Sequence, residues 1–520
     1  MSSFLSLDAQ TLVFAAAGLV LVLTVKAYVA RRRRNPRGLP LPPGPKPYPI
    51  IGNVTQIPQD NPWEAYHEMC KEHGDMIYVN AMGTGILILD NASRAFEVLE
   101  QRGLNYSDRP WIPTVDLTRM DWSFGVMNYG TKWKQLRREF HQFFRRDSLA
   151  QFHPMMYEEI SSFLQRLKSK PENFIEDLEL LFGSIIMRTA YGFDDIGQNK
   201  AIIANAEALI EAFGESNKPG KFMVNIFPVL RFLPAWFPGG GFQRYFQKVA
   251  GISNETVQKP FEQAKADLAE GKRSVHPSMV TTLLDRIASE KNSVPGLVDP
   301  ETMAKGICAL TYLAGGDTTM ATATACILAL ANNPEIQRKA HAEIDAIVGA
   351  HRLPTVGDRH SLPYVHAIVK ETYRWFTIIP LGIPHASAED DEYDGYFIPK
   401  GTIIMPNAWA ILHDPAVFDK PFEFIPERYL KDGKIDPNVL DADSAGFGYG
   451  RRICPGIHFS HDTLFLFIAS LLASFDITPP NDASGNPTVL KLEVNNSTIT
   501  KPLPFKCNFA IRPGREALLH

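Results

Sequence analysis

Apolar and polar positions along this 520-residue chain fall into runs of different period, and each run predicts a different element. From Thr11 to Ala30 almost every residue is apolar, with only Lys26 intervening. That length approaches the roughly 20 residues that cross a bilayer. Arg31, Arg32, Arg33 and Arg34 follow at once, and no small-residue cleavage site comes after them. An uncleaved anchor over residues 1–34 is therefore expected rather than a cleaved signal peptide, with the arginines and everything beyond them cytosolic. Leu39-Pro40-Leu41-Pro42-Pro43-Gly44-Pro45-Lys46-Pro47 cannot be helical, so residues 35–50 read as a stiff proline-rich hinge. Residues 75–90 alternate as two short strands around a glycine-containing turn. From residue 130 the helical period dominates, broken at Pro228, Pro234 and Pro238. Thr302 to Asn333 is the longest helical candidate, about 48 Å at the usual rise. A second apolar run, Phe459 to Phe475, predicts another buried helix. The expected fold is mainly α with a small β region, in one domain over 51–520.

Composition changes this picture little. Hydrophobic residues make up 45% and charged residues 21% of the chain, as in an ordinary folded protein, and the net charge of −4 gives no reason to expect a nucleic-acid partner. Cys70, Cys308, Cys326, Cys454 and Cys507 are odd in number and contain no CxxC pair. Neither a disulfide framework nor a zinc site is indicated, and a reducing compartment follows.

The chemistry concentrates at Phe447-Gly448-Tyr449-Gly450-Arg451-Arg452-Ile453-Cys454-Pro455-Gly456. One thiol stands behind a glycine-rich turn and ahead of an apolar helix, either as a buried structural cysteine or as a single-point metal ligand. The spacing of Phe447, Gly450, Arg452, Cys454 and Gly456 resembles the haem-binding loop of the cytochrome P450 family. That resemblance implies a large helical body with haem between a long central helix and the Cys loop. Cys454 would be the axial thiolate to iron, Phe447 would pack beside it, and Arg452 would face a haem propionate.

Other segments extend the resemblance across nearly the whole chain. Trp133 and Arg137 share a helix face and are similar to the family's WxxxR pair, which reaches the propionates. Ala314-Gly315-Gly316-Asp317-Thr318 matches the mid-helix [AG]-G-x-[DE]-T motif. It implies that Thr318 steadies bound dioxygen and that Asp317 relays protons, with either a local widening of the helix or close packing on small residues explaining the glycines. Glu371 and Arg374, with Arg428 of Phe424-Ile425-Pro426-Glu427-Arg428, resemble the ExxR and PERF elements and imply a structural triad. His385 stands where members carry a basic propionate ligand. By the same resemblance Trp111, Phe124, Ile307, Leu310, Ala314, Ile379, Leu381 and Thr498 line an apolar substrate pocket, and the aromatic stretch from Phe222 to Gly239 meets the bilayer surface. Ile457 and Ser460 depart from the usual basic residue and Ala, so altered packing is expected there.

The resemblance implies a monooxygenase carrying haem b (iron protoporphyrin IX), using O2 and a hydrophobic small molecule. Electrons would come from NADPH through NADPH–cytochrome P450 reductase, with cytochrome b5 as a second donor, since the chain has no GxGxxG unit or iron–sulfur pattern. Lys132, Lys134, Arg138 and Arg451 would form the docking patch. The endoplasmic reticulum membrane is the expected location. Asp394-Gly395-Tyr396-Phe397-Ile398-Pro399-Lys400-Gly401 looks like fungal members of secondary metabolism, with a terpenoid as the expected substrate. The alternatives are a haem-thiolate isomerase or dehydratase needing no external electrons, against which Asp317 and Thr318 argue, and a non-catalytic haem sensor.

Overall fold

A computed structural model describes residues 32–519 apart from 195, 219 and 290–297, together with residues 18, 26 and 29. The anchor expected between Thr11 and Ala30 lies outside the described residues. Two described helices, Pro300–Asn332 and Ile457–Ser474, are long and apolar enough to cross a membrane. Both are mostly buried and form the core of the body.

Strand β1 (Met76–Ala81) turns back into β2 (Thr84–Leu89) through Met82 and Gly83, both at positive φ. Two such residues match the right-handed twist of a hairpin, as the glycine-containing turn predicts. Strand β3 (His385–Ala386), the hairpin of β4 (Asp391–Tyr393) and β5 (Tyr396–Ile398), and β6 (Ile403–Pro406) come much later in the chain. The sheet order β1-β2-β6-β3 joins the two regions, with β6 parallel to β2 in the register Leu87 to Ile404.

The proline-rich stretch is bonded to strand β1 and to the β4–β5 hairpin. The Tyr78 N–H donates to the Pro43 carbonyl at 2.7 Å and the Phe397 N–H to that of Pro40 at 2.8 Å. A Cβ at Gly44 would meet the Tyr78 carbonyl oxygen at 2.3 Å, so only glycine permits this contact. Arg34 and Arg37 pair with Asp390 and Glu392, tying the start of the described chain to the β4–β5 hairpin.

Helices make up the rest. The central helix, Pro300–Asn332, begins where the Asp299 side chain accepts the Thr302 N–H at 2.8 Å and ends before Pro334. It stays α-helical throughout, without the local widening expected at its glycines. Gly315 explains itself by packing: a Cβ there would lie 2.6 Å from Ile186 of the helix Phe174–Tyr191. The Cys helix, Ile457–Ser474, packs on the central helix and continues the same apolar core.

Candidate active site

The Cys454 loop is positioned by backbone contacts. Gly448 and Gly450 take positive φ, and the Cys454 N–H donates to the Phe447 carbonyl at 2.8 Å. The Gly450 N–H donates to Glu100 at 2.6 Å. That contact comes from the π-helical turn Glu97–Gln101, a form often found at functional sites. A Cβ on Gly450 would meet the Leu99 carbonyl oxygen at 2.7 Å. Gly450→Ala should therefore cost about 1–3 kcal/mol, combining left-handed strain with a backbone clash. Urea unfolding of the purified protein checks this, and an unchanged midpoint would show that the loop yields freely.

Cys454 retains accessible surface, yet enough protein surrounds it that burial pushes its thiol pKa up. The Gly456 N–H and the Arg137 guanidinium oppose that rise and favour the thiolate. Behind the loop, Phe447 stacks edge-on against Tyr373 at 5.0 Å. The Tyr373 hydroxyl shares a 2.8 Å hydrogen bond with Ser460, a polar tie at the start of the Cys helix.

On one side of the loop stands a cluster of cations, Arg137 half-buried and Arg452 and Arg109 buried. The Arg137 guanidinium donates to the Ile453 carbonyl at 2.6 Å. Arg452 donates to the carbonyls of Ser107, Phe124 and Met127, and it lies 4.6 Å over the Trp133 ring. Burial brings Arg452 down to about 10, with Asp108 partly offsetting the shift. Arg109, which no sequence pattern marked, is 7% exposed and donates only to carbonyls, those of Gly125, Ile383 and Pro384. Burial and the neighbouring Arg452 hold it well below the usual arginine value. None of these three guanidiniums forms an ion pair among the described residues, and the buried Trp133 Nε1 lacks a partner. Buried charge is costly unless paired, so this cluster fits a group that brings its own carboxylates. His385 belongs to the same neighbourhood but is neutral. Burial, then Arg109, pushes it down to about 3, and its Nδ1–H donates to the Tyr106 carbonyl at 2.6 Å. Arg109 thus stands as a further basic residue in the same neighbourhood as His385.

The central helix presents Leu310, Ala314 and Thr318 at four-residue spacing, and all three keep accessible surface amid buried neighbours. The Thr318 hydroxyl donates to the Ala314 carbonyl at 2.9 Å. Asp317 turns aside to an ion pair with Lys501 at 2.7 Å and does not bond Thr318.

A family model described as cytochrome P450 matches residues 42–509. The cytochrome P450 monooxygenase COX1 of Coprinopsis cinerea is 48% identical over 508 residues, covering 97% of this chain and 98% of that protein. The chain belongs to the cytochrome P450 family. COX2 of the same fungus is 41% identical over 97% of this chain and 95% of its own length. The tryptamine 4-monooxygenase of Psilocybe cyanescens is 36% identical over 95% of this chain and 97% of its own length. This P450 is therefore a monooxygenase, an oxidoreductase that uses haem and O2 and takes electrons from a redox partner. The open thiol and the uncompensated cations are what a haem with two propionates requires.

The P450 fold also sorts the expected pocket residues. Leu310, Ala314, Ile379 and Thr498 retain accessible surface, whereas Ile307 is fully buried. One turn of the central helix lies under the loop there, as shown by the Trp122 carbonyl 3.3 Å from where a Gly306 Cβ would sit. The Phe124 ring packs edge-on to Phe140 in the core, and Leu381 packs beside Trp63 and Ile88. Trp111 is 54% exposed, held by Asp116 and the Arg231 guanidinium on the outside of its loop.

Glu371, Arg374 and Arg428 do meet. Arg374 grips Glu371 with two hydrogen bonds of 2.7 Å, and Arg428 approaches the same carboxylate at 3.1 Å.

Proposed function

We propose that this P450 is a membrane-anchored fungal enzyme that oxidises a hydrophobic secondary metabolite, a terpenoid or an indole such as the tryptamine in the name of one relative. Haem b would be held by Cys454 and would supply the activation of O2, one atom entering the substrate while the other leaves as water. Cys454 holds the iron, with Phe447, Gly450 and Gly456 shaping its loop. Trp133, Arg137, Arg109, Arg452 and the neutral His385 take the propionate side. Thr318 steadies the oxygen side, and Asp317 supplies protons to it. Leu310, Ala314, Ile379 and Thr498 offer apolar contact to the substrate.

The observation that carries this reading is the set of buried and half-buried guanidiniums without carboxylates beside an open thiol. NADPH–cytochrome P450 reductase, assisted by cytochrome b5, is the electron donor we favour. Lys132, Lys134, Arg138 and Arg451 are exposed, and Lys134 and Arg451 converge on the Tyr129 ring. An endoplasmic reticulum location is supported by the apolar run before Arg31 and by the exposed Val229, Phe232 and Trp236.

The experiment is a titration of the ferric protein with terpenoids and indoles, read as a water-displacement shift of the Soret band. NADPH-dependent turnover with reductase follows for each binder. In Thr318→Ala the same binder should still shift the band, while product falls roughly 10²-fold and peroxide rises in its place. Tight coupling in that variant would remove Thr318 from the oxygen side.

A further inference from the structure

A cavity of about 20 Å³ lies beside the central helix, lined by Glu179, Glu207, Tyr312, Gly316, Asp317 and Met320 among others. Successive residues of a helix are 100° apart, so Tyr312, Leu313, Gly316 and Met320 form a face adjoining that of Leu310, Ala314 and Thr318. Asp317 sits at the edge between the two. The cavity exceeds the roughly 10–15 Å³ that one water needs, and its lining supplies more than two polar partners. One of them is otherwise unserved: Tyr312 is 4% exposed and its buried hydroxyl has no partner.

The three carboxylates are graded from outside to inside on three helices. Glu179, on Phe174–Tyr191, is exposed; Glu207, on Ile196–Asn217, is half-buried; and the Asp317 side chain is 12% exposed. Lys501 supplies the local positive charge and pairs with Asp317 at 2.7 Å. We propose that Glu179, Glu207 and a water held by Tyr312 form the inlet through which Asp317 is reprotonated in each catalytic cycle. One proton leaves the Glu207 carboxyl and crosses the water to the Asp317 carboxylate. The Glu207 carboxylate is then refilled from bulk solvent by way of Glu179, so nothing is consumed but the proton. Burial raises both glutamates above their ordinary value, and Asp317 and Glu207 add repulsion. A carboxyl so shifted carries its proton closer to neutral pH.

This inlet rests on the assignment of Asp317 as the proton relay, and the two can fail separately. The full-length enzyme with reductase is assayed as Glu207→Gln, Glu207→Asp, Tyr312→Phe and Asp317→Asn, after the ferrous carbon-monoxide band has shown each to be loaded. Glu207→Gln and Tyr312→Phe should raise the kinetic solvent isotope effect and the peroxide-to-product ratio. The expected loss of coupled turnover is roughly tenfold, below the ~10²-fold typical of a group that itself donates. Glu207→Asp should recover most of it, which a packing role would not predict. If Asp317→Asn moves both readouts and neither Glu207→Gln nor Tyr312→Phe moves either, the inlet is wrong and the relay stands. If Asp317→Asn moves neither, the relay itself is wrong. A high-resolution crystal structure gives a readout free of turnover: an ordered water bonded to the Tyr312 hydroxyl and to a carboxylate is expected, and a dry cavity would overturn the proposal even if a variant failed to fold.

Discussion

Ferrous Cys454→Ser treated with carbon monoxide is expected to lack entirely the Soret band of a thiolate-ligated haem, and monooxygenase turnover should fall below detection. The reason lies in which atoms hold the loop and which atom faces outward from it. The loop is fixed by Cys454 N–H to Phe447, Gly450 N–H to Glu100 and Arg137 to the Ile453 carbonyl, and none of these bonds uses the sulfur. Serine keeps all of them, so far-ultraviolet circular dichroism and the urea midpoint should stay within about 1 kcal/mol of the parent. What disappears is a soft ligand whose thiolate the Gly456 N–H and Arg137 favour against the cost of burial. A hydroxyl in the same place stays protonated and donates little electron density to iron. Retention of the thiolate band would sink the assignment of Cys454, whereas its loss with an intact fold would separate ligation from stability.

The contrast between this loop and the pocket shows what a sequence can carry. The Cys loop, the Glu371–Arg374 spacing and the Trp133–Arg137 face are local patterns, each within ten residues, and the structure keeps each of them close. The long central helix was legible for the same reason, as an uninterrupted helical stretch from Thr302 to Asn333. Residues that act across long separations were not legible. Arg109 stands in an unremarkable loop and acquires its character from carbonyls nearly 280 residues away, at Ile383 and Pro384. Lys501 comes to Asp317 across 184 residues. Phe124 and Ile307 lie in pocket-forming segments, but one or two neighbouring side chains decide whether an apolar residue faces substrate or core, and periodicity does not resolve that. The glycines of the Ala314–Thr318 motif allowed two explanations, and Ile186, far away in sequence, decides for packing at Gly315.

Glu371→Ala should cost about 3–5 kcal/mol, the penalty of leaving a buried guanidinium without its counter-charge. Glu371 and Arg374 are both fully buried. Without the carboxylate, Arg374 retains only carbonyl partners, those of Leu412, Pro421 and Glu423, Arg428 keeps only the carbonyls of Asp419 and Lys420, and the Ile425 N–H loses its acceptor. Against a usual total of about 5–15 kcal/mol, that is enough to deplete folded, haem-loaded protein in cells. The damage should begin where the triad is attached. Amide exchange across residues 412–428, the segment leading toward the Cys loop, should rise before that of the central helix. Arg374→Ala alone should also destabilise, though less, because Arg428 and the Ile425 N–H remain on Glu371. The double variant should cost clearly less than the sum, because removing both charges leaves neither stranded. Additive costs in that cycle, or a parental urea midpoint for Glu371→Ala, would mean that the pair holds nothing in place and that the Cys loop is positioned by its own glycines and Glu100 alone.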